Sequence, residues 1–171
     1  LIFFGILIYL EDQGPILYSQ IRTGHNLRTF RIYKLRSMKV NSEKYGAKWA
    51  SNNDVRINKV GKIIRSLRID ELPQLWTVLK GEMSLIGPRP ERPEFDVILE
   101  KKISFYNSRY SVKPGLSGWA QVNYPYGASD NGSKNKLSFD LYYIENFTFF
   151  LDLLIFFKTI RLVLNARGSE E

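Results

Sequence analysis

The residues best placed to do chemistry gather around one adjacent carboxylate pair, Asp70–Glu71, in the string SLRIDELPQLWTVLKG. A basic stretch precedes the pair and a helical pattern follows it, so both acids fall at a helix start. There the helix dipole, with Arg65 and Arg68 close in sequence, is expected to keep both carboxylates ionised at neutral pH. An ionised Asp so supported can ligate a metal or attack phosphorus through oxygen, giving an aspartyl phosphate. The same residue types are common in first turns, where Asp70 would only cap the helix. The residues alone leave both readings open.

Cations suited to anion binding lie on either side of the pair in sequence. Arg89 stands in GPRPERP, where Pro88 and Pro90 restrict the backbone and present a planar, permanently charged fork. That suits bidentate phosphate binding; an ordinary pairing with Glu91 or Glu94 is the alternative. Lys34 and Arg36, two apart on an expected strand, would point to one side. They read as half of a diphosphate cradle, or as charges that keep an edge strand from aggregating. With one His and no Cys, the chain excludes a disulfide scaffold and a Cys metal site, and His25 reads as a turn residue after Gly24. There is no GxGxxG and no GxxxxGK[ST], so a nucleotide would be held without either loop.

The 171 residues suit one domain with room for a core and an appended helix. Net charge is +8, and residues 21–80 carry 14 Lys/Arg against 4 Asp/Glu. That part of the chain is built to meet phosphates, nucleic acid or anionic lipid.

The elements that must position these groups follow from patterning. The opening LIFFGILIYL is too short to span a bilayer, which takes about 20 residues, and reads as the end of a longer membrane segment, a buried helix or a strand. Residues 16–33 predict a β-hairpin with a basic rim, turning at Thr23–Leu27. Residues 41–56 are polar and aperiodic, a surface loop. Ile57, Val60, Ile63, Ile64 and Leu67 predict the buried face of a helix over 57–68, with Lys59, Lys62, Arg65 and Arg68 spread over a wide arc outside it, a solvated face or an anion-facing one. A helix capped by Asp70 runs to Gly81, then MSLIG is extended. Residues 94–109 read as helical and 112–135 as a long binding-loop candidate. The apolar stretch Phe139–Leu164 contains Asp152, Lys158 and Arg161, which count against a transmembrane span. It would pack on both sides or lie in a membrane interface.

Read together and in order, GPILYSQIRTG, FRIYKLRSM, GKIIRSLRIDELPQLWTVLKGEMSLIGPRPERPEF, YSVKPGLSGWAQVN and FDLYYIENFTFFLDLLIFFKTIRLVL resemble the bacterial sugar transferase family, the membrane-associated polyprenol-phosphate phosphoglycosyl transferases. The resemblance covers about residues 11–164. It implies an α+β, mainly helical monotopic domain with a short β-hairpin and amphipathic, interfacial helices. Residues 1–10 would be the exit half of a re-entrant membrane helix and 11–171 the catalytic domain, at the cytoplasmic face of the bacterial inner membrane. The implied reaction moves a sugar-1-phosphate from a nucleotide diphosphate sugar, such as a UDP-sugar, to undecaprenyl phosphate.

By the same resemblance, Asp70 is the nucleophile that forms a covalent phospho-sugar intermediate, and Glu71 is a ligand for Mg²⁺. Lys34, Arg36 and Arg89, then Arg65 and Arg68, are assigned to the anionic substrate, and Asp140 matches an acidic position near the site. The loop Lys113–Asn123 would close over the sugar nucleotide, with Trp119 stacking on a ring or anchoring the loop. Inner-membrane lipids are expected partners, nucleic acid is not, and a homo-oligomer is compatible with the chain. SLRIDEL in place of a threonine-serine-leucine lead-in and the polar GASDNGSKN depart from the family pattern, and the second leaves the sugar open. The rival classes are a non-catalytic basic module for anionic lipid or nucleic acid, and a scaffold of a polysaccharide assembly complex.

Overall fold

The computed structural model describes residues 1–44, 46, 48–49, 54–124 and 130–165, with the side chains of 130 and 131 left aside. Residues 45, 47 and 50–53 of the expected 41–56 loop, residues 125–129 of the 112–135 loop and residues 166–171 of the expected catalytic domain lie outside the described residues.

The fold is α+β, mainly helical, as the sequence predicts. The opening apolar run forms α1 (Ile2–Glu11). The hairpin follows as β1 (Leu17–Thr23) and β2 (Thr29–Leu35), antiparallel from Leu17↔Leu35 to Thr23↔Thr29. Its turn is made by Asn26 and Leu27 in the left-handed region, at φ 54° and 61°, with His25 exposed beside them. α2 (Lys59–Ser66) packs against the hairpin through Ile64, in a small core with Ile8 and Leu35. Gly61 makes that approach feasible, since a Cβ there would lie 2.0 Å from the Ser37 carbonyl oxygen. The expected face is only partly buried: Ile63 is 55% exposed and Leu67 42%.

Contacts of Glu11 and Arg36 fasten α1 to this unit. The Glu11 carboxylate accepts from the backbone N–H groups of Lys59 (2.6 Å) and Val60 (2.8 Å), donors that the first turn of α2 leaves unpaired. Asn58 caps the same helix by accepting from Gly61 N at 2.6 Å. At the other end, the Arg36 guanidinium donates to the carbonyls of Ile8 (3.5 Å) and Asp12, closing the C-terminus of α1.

After α2 the chain makes a 3₁₀ turn over Ile69–Gln74 and a short helix α3 (Leu75–Leu79), which ends at Gly81 with φ 78°. β3 (Ser84–Ile86) pairs in parallel with β4 (Gly115–Ser117), so part of the expected long loop is strand, and α5 (Trp119–Asn123) is another part. The single helix expected over 94–109 is α4 (Pro93–Lys102) followed by a 3₁₀ turn at Tyr106–Ser111, separated by Phe105 at φ 60°. Phe95, Leu99, Ile103, Tyr106, Tyr110 and Leu137 form the core there.

The apolar C-terminal stretch is two helices, α6 (Asp130–Glu145) and α7 (Phe149–Leu164). Thr148 breaks them by capping α7, its hydroxyl accepting from Leu151 N at 3.2 Å. Ile155 is fully buried against Tyr143 and Ile86, whereas Phe149, Phe150 and Leu164 are each more than 70% exposed. Among the described residues, no helix is long and apolar enough to cross a membrane.

Candidate active site

Asp70 and Glu71 enter the 3₁₀ turn from Arg68, which adopts the left-handed conformation at φ 55°. Asp70 therefore does not cap a helix; it is the second residue of the turn, with its backbone inside it. Both acids are buried, at 5% and 6% exposure. Burying two neighbouring carboxylates is tolerable only with counter-charge.

That counter-charge goes to Glu71. Lys34 Nζ lies 2.6 Å from Glu71 Oε1 and Arg68 Nη1 lies 3.5 Å from Oε2. Arg89 reaches across with both nitrogens, Nη2 to Oε1 and Nη1 to Oε2, the latter at 3.3 Å. Burial works against ionising Glu71, but Arg89, Lys34 and Arg68 outweigh it and hold the carboxyl well below its usual range. Burial also lowers the Lys34 ammonium, which Glu71 partly restores.

Asp70 is treated differently. Among the described residues, no hydrogen bond and no ion pair within 4.0 Å reaches its carboxylate. Burial pushes its pKa up to about 6, with Lys34 pulling it down and Glu71 pushing it up. The helix start is expected to keep both acids ionised at neutral pH; at Asp70 desolvation works against ionisation and outweighs the dipole. The group remains mostly ionised at neutral pH, and a carboxylate of raised pKa is a more basic oxygen nucleophile.

Asp70 lines a cavity of about 580 Å³, together with Lys34, Arg65, Arg89, Arg109 and Asp140. That volume suits a small organic ligand. Arg65 faces Asp70 electrostatically, so two of the four basic residues of the α2 stretch serve the acid pair, Arg65 and Arg68, while Lys59 and Lys62 are exposed. Arg36 does not join the acid pair: it is among the residues that line the cavity, but its guanidinium is spent on the C-terminus of α1. Lys34 and Arg36 share a face, but Arg36 lies one residue past the strand and turns toward helix carbonyls. Asp140 sits at the cavity wall in an ion pair with Arg109 Nη2 at 2.8 Å.

Trp119 lies outside the cavity lining. Its ring stacks on Tyr142 at 5.8 Å and carries Lys158 Nζ 4.6 Å above its centroid, so α5 is anchored on α6 and α7.

Sequence reasoning passed over Arg22, Arg92 and Arg109. Arg92 ties Glu43 at 2.7 Å, beside Tyr18, at another part of the cavity wall. Arg22 and Arg109 hold the segment 88–91. Its two prolines carry no N–H, and that is the signal that could have found them: a segment with few donors, placed inside the fold, needs donors brought to its carbonyls.

Among the described residues, no group of three His, Cys, Asp or Glu could hold a metal unaided. Mg²⁺ is commonly held by one or two carboxylates plus substrate phosphates, and Asp70 with Glu71 fits that pattern. In this arrangement the Glu71 oxygens are taken by cations, so a metal there fits only when phosphates arrive to draw Lys34 and Arg89 away.

Residues 1–166 match the family described as bacterial sugar transferase. The chain is 52% identical over 165 residues to the UDP-N-acetylgalactosamine-undecaprenyl-phosphate N-acetylgalactosaminephosphotransferase of Aeromonas hydrophila, covering 96% of this chain and 39% of that protein. It is 39% identical over 171 residues to the undecaprenyl-phosphate glucose phosphotransferase of Komagataeibacter xylinus, covering 96% of this chain and 32% of the other. With the UDP-glucose:undecaprenyl-phosphate glucose-1-phosphate transferase of Escherichia coli (strain K12), identity is 37% over 158 residues, 91% of this chain and 34% of that one. The chain thus spans roughly a third to two fifths of the length of these three relatives.

Proposed function

The chain belongs to the bacterial sugar transferase family, and on that premise we propose that it transfers a sugar-1-phosphate from a UDP-sugar to undecaprenyl phosphate through a covalent intermediate on Asp70. An Asp70 carboxylate oxygen attacks the phosphorus that bears the sugar. The bond from that phosphorus to the bridging oxygen breaks, and UMP leaves with the electron pair. A phosphate oxygen of undecaprenyl phosphate then attacks the same phosphorus, the aspartyl–phosphorus bond breaks, and the Asp70 carboxylate is restored. The observation that carries this reading is the division of labour in the acid pair: Glu71 absorbs Lys34, Arg68 and Arg89, while Asp70 faces the cavity with a raised pKa.

Lys34 and Arg89, already converged beside Asp70, would turn from Glu71 to the diphosphate and offset the repulsion between two anions. Glu71 would then hold Mg²⁺, which supplies charge neutralisation on the diphosphate and its leaving group. Arg65 remains on the Asp70 side of the cavity. The basic residues at the pair turn inward onto carboxylates, which favours an enzyme over a basic surface module.

The apolar outer sides of α1 and α7 would lie in the cytoplasmic leaflet of the bacterial inner membrane, with residues 1–10 as the exit half of a re-entrant helix and the rest as the catalytic domain. The support is their exposed Ile2, Phe3, Phe149 and Phe150. The test is release of UMP from a panel of UDP-sugars by the full-length membrane-embedded protein, with undecaprenyl phosphate and Mg²⁺, beside Asp70→Asn. Lipid- and Mg²⁺-dependent release that the variant loses is expected. Equal release from the variant would remove Asp70 from the reaction, and no release with any sugar would remove the reading.

A further inference from the structure

The segment Pro88–Glu91 is held at four consecutive carbonyls. Pro88 O accepts from Gly115 N at 2.9 Å and Glu91 O from Thr23 N at 2.9 Å. The two between are held by side chains: Arg89 O accepts from Arg109 Nη2 at 2.8 Å and Pro90 O from Arg22 Nη1 at 3.1 Å. An extended segment with two prolines has no ladder partner of its own, so these donors fix where Arg89 starts its reach toward Glu71.

Arg109 is the most constrained of them. Its guanidinium is buried, donates through Nη1 to Tyr106 Oη at 2.8 Å, and pairs through Nη2 with Asp140 at 2.8 Å. Its plane lies 5.3 Å from the Tyr106 ring and 5.6 Å from the Tyr110 ring. Tyr106 and Tyr110 are locked in turn, both hydroxyls donating to Asp96 Oδ1, at 2.9 and 2.5 Å. A guanidinium with both ends committed and its charge neutralised by Asp140 is a bracket rather than a phosphate ligand, although it lines the cavity.

We infer that Arg109, oriented by Asp140, is a positioning residue: by gripping the Arg89 carbonyl it places the Arg89 fork on Glu71 and beside Asp70, where the substrate diphosphate must bind. This rests on the reading of the cavity as a diphosphate site. The effect passes through Arg89, and that separates it from simple support of the fold. An Arg89 whose carbonyl is no longer gripped presents its fork to the diphosphate in the wrong geometry, so the loss falls on diphosphate affinity and KM rather than on the melting temperature. A lysine at 109 keeps the charge on Asp140, but one ammonium cannot serve the carbonyl, the hydroxyl and the carboxylate in the same geometry.

The experiment uses the full-length membrane-embedded protein and compares Arg109→Lys, Arg89→Lys and the double variant with wild type. Three quantities are read: affinity for inorganic diphosphate by titration, and kcat and KM for a UDP-sugar. Expected for Arg109→Lys are diphosphate binding and 1/KM weakened by about tenfold or more, kcat changed far less, and a near-wild-type melting temperature. In the Arg89→Lys background the same change should add little. A variant with wild-type diphosphate affinity and KM, or one whose loss is equally large without Arg89, overturns the assignment. Wild-type protein that binds diphosphate but transfers no sugar would sink the transferase reading and leave the positioning role to the binding arm. Wild-type protein that binds no diphosphate overturns both.

Discussion

The Lys34 ammonium stands 2.6 Å from Glu71, and so gives its charge to the acid that is not the proposed nucleophile. Burial keeps the Asp70 oxygens basic, while neutralising the neighbour removes most of the repulsion a phosphate would meet. The pair therefore works as two unlike carboxylates, set apart by their surroundings.

Asp70→Asn should abolish transfer while the protein stays folded. Because burial raises Asp70, its ionised form is disfavoured in the fold, and the neutral isostere should leave stability at pH 7 equal or higher by on the order of 1–3 kcal/mol. UMP release and thermal melting measured on one preparation check both halves. A variant that melts well below wild type would contradict the burial argument.

With Asp70 at about 6, kcat/KM for the UDP-sugar should rise with pH through that value, since only the ionised carboxylate attacks. The stability sign is the reverse. A raised carboxylate binds its proton more tightly folded than unfolded, so its contribution falls as pH rises from the usual carboxylate range to about 6. An acid limb near 4, the ordinary carboxylate value, would show that burial does not raise Asp70 in the working enzyme.

Glu71→Gln removes the shared partner of three cations. A depressed carboxylate contributes stability above its unfolded pKa and loses it as pH falls. The variant should thus be less stable at neutral pH, by about 3–5 kcal/mol as for other broken buried pairs, and the gap should close on acidification. Denaturant unfolding at pH 7 and at a series of pH values below about 4, where the depressed carboxyl takes its proton, reads this, and a Mg²⁺ titration of turnover should lose its steepness. A gap independent of pH would mean the three cations do not hold Glu71 charged.

Trp119→Leu should cost about 2 kcal/mol of stability through lost packing on Tyr142 and Lys158. KM for the UDP-sugar should stay within about twofold of wild type, because the ring lies outside the cavity lining. A KM raised tenfold with unchanged melting would return Trp119 to the substrate.

Much of this was legible in the residues. Alternation and a turn marked the hairpin, Gly81 marked the end of α3, and Asp70, Glu71, Lys34 and Arg89 do converge. What the sequence hid were tertiary effects. Spacing put Arg36 beside Lys34, yet the open carbonyls of α1 claim it. Helix logic made Asp70 a cap, yet a left-handed Arg68 delivers it into a 3₁₀ turn where burial governs its pKa. Composition showed one apolar stretch from Phe139, and a single threonine hydroxyl divides it. Arg109 comes from a segment with no pattern pointing to Arg89, so only the unmet carbonyls between the prolines could have announced it.

The Glu11 carboxylate on the first turn of α2 has an engineering consequence. Removing α1 through Glu11 to gain solubility would take away more than grease: it would strip two acceptors from Lys59 N and Val60 N and take the Ile8 carbonyl from the buried Arg36. α2 carries Arg65, and Arg68 follows directly after it, so the damage would travel straight to the acid pair. A shortened version of this protein has to keep α1 and mask its outer side by another means, such as polar substitutions at Ile2, Ile6 and Leu10, which are each at least half exposed.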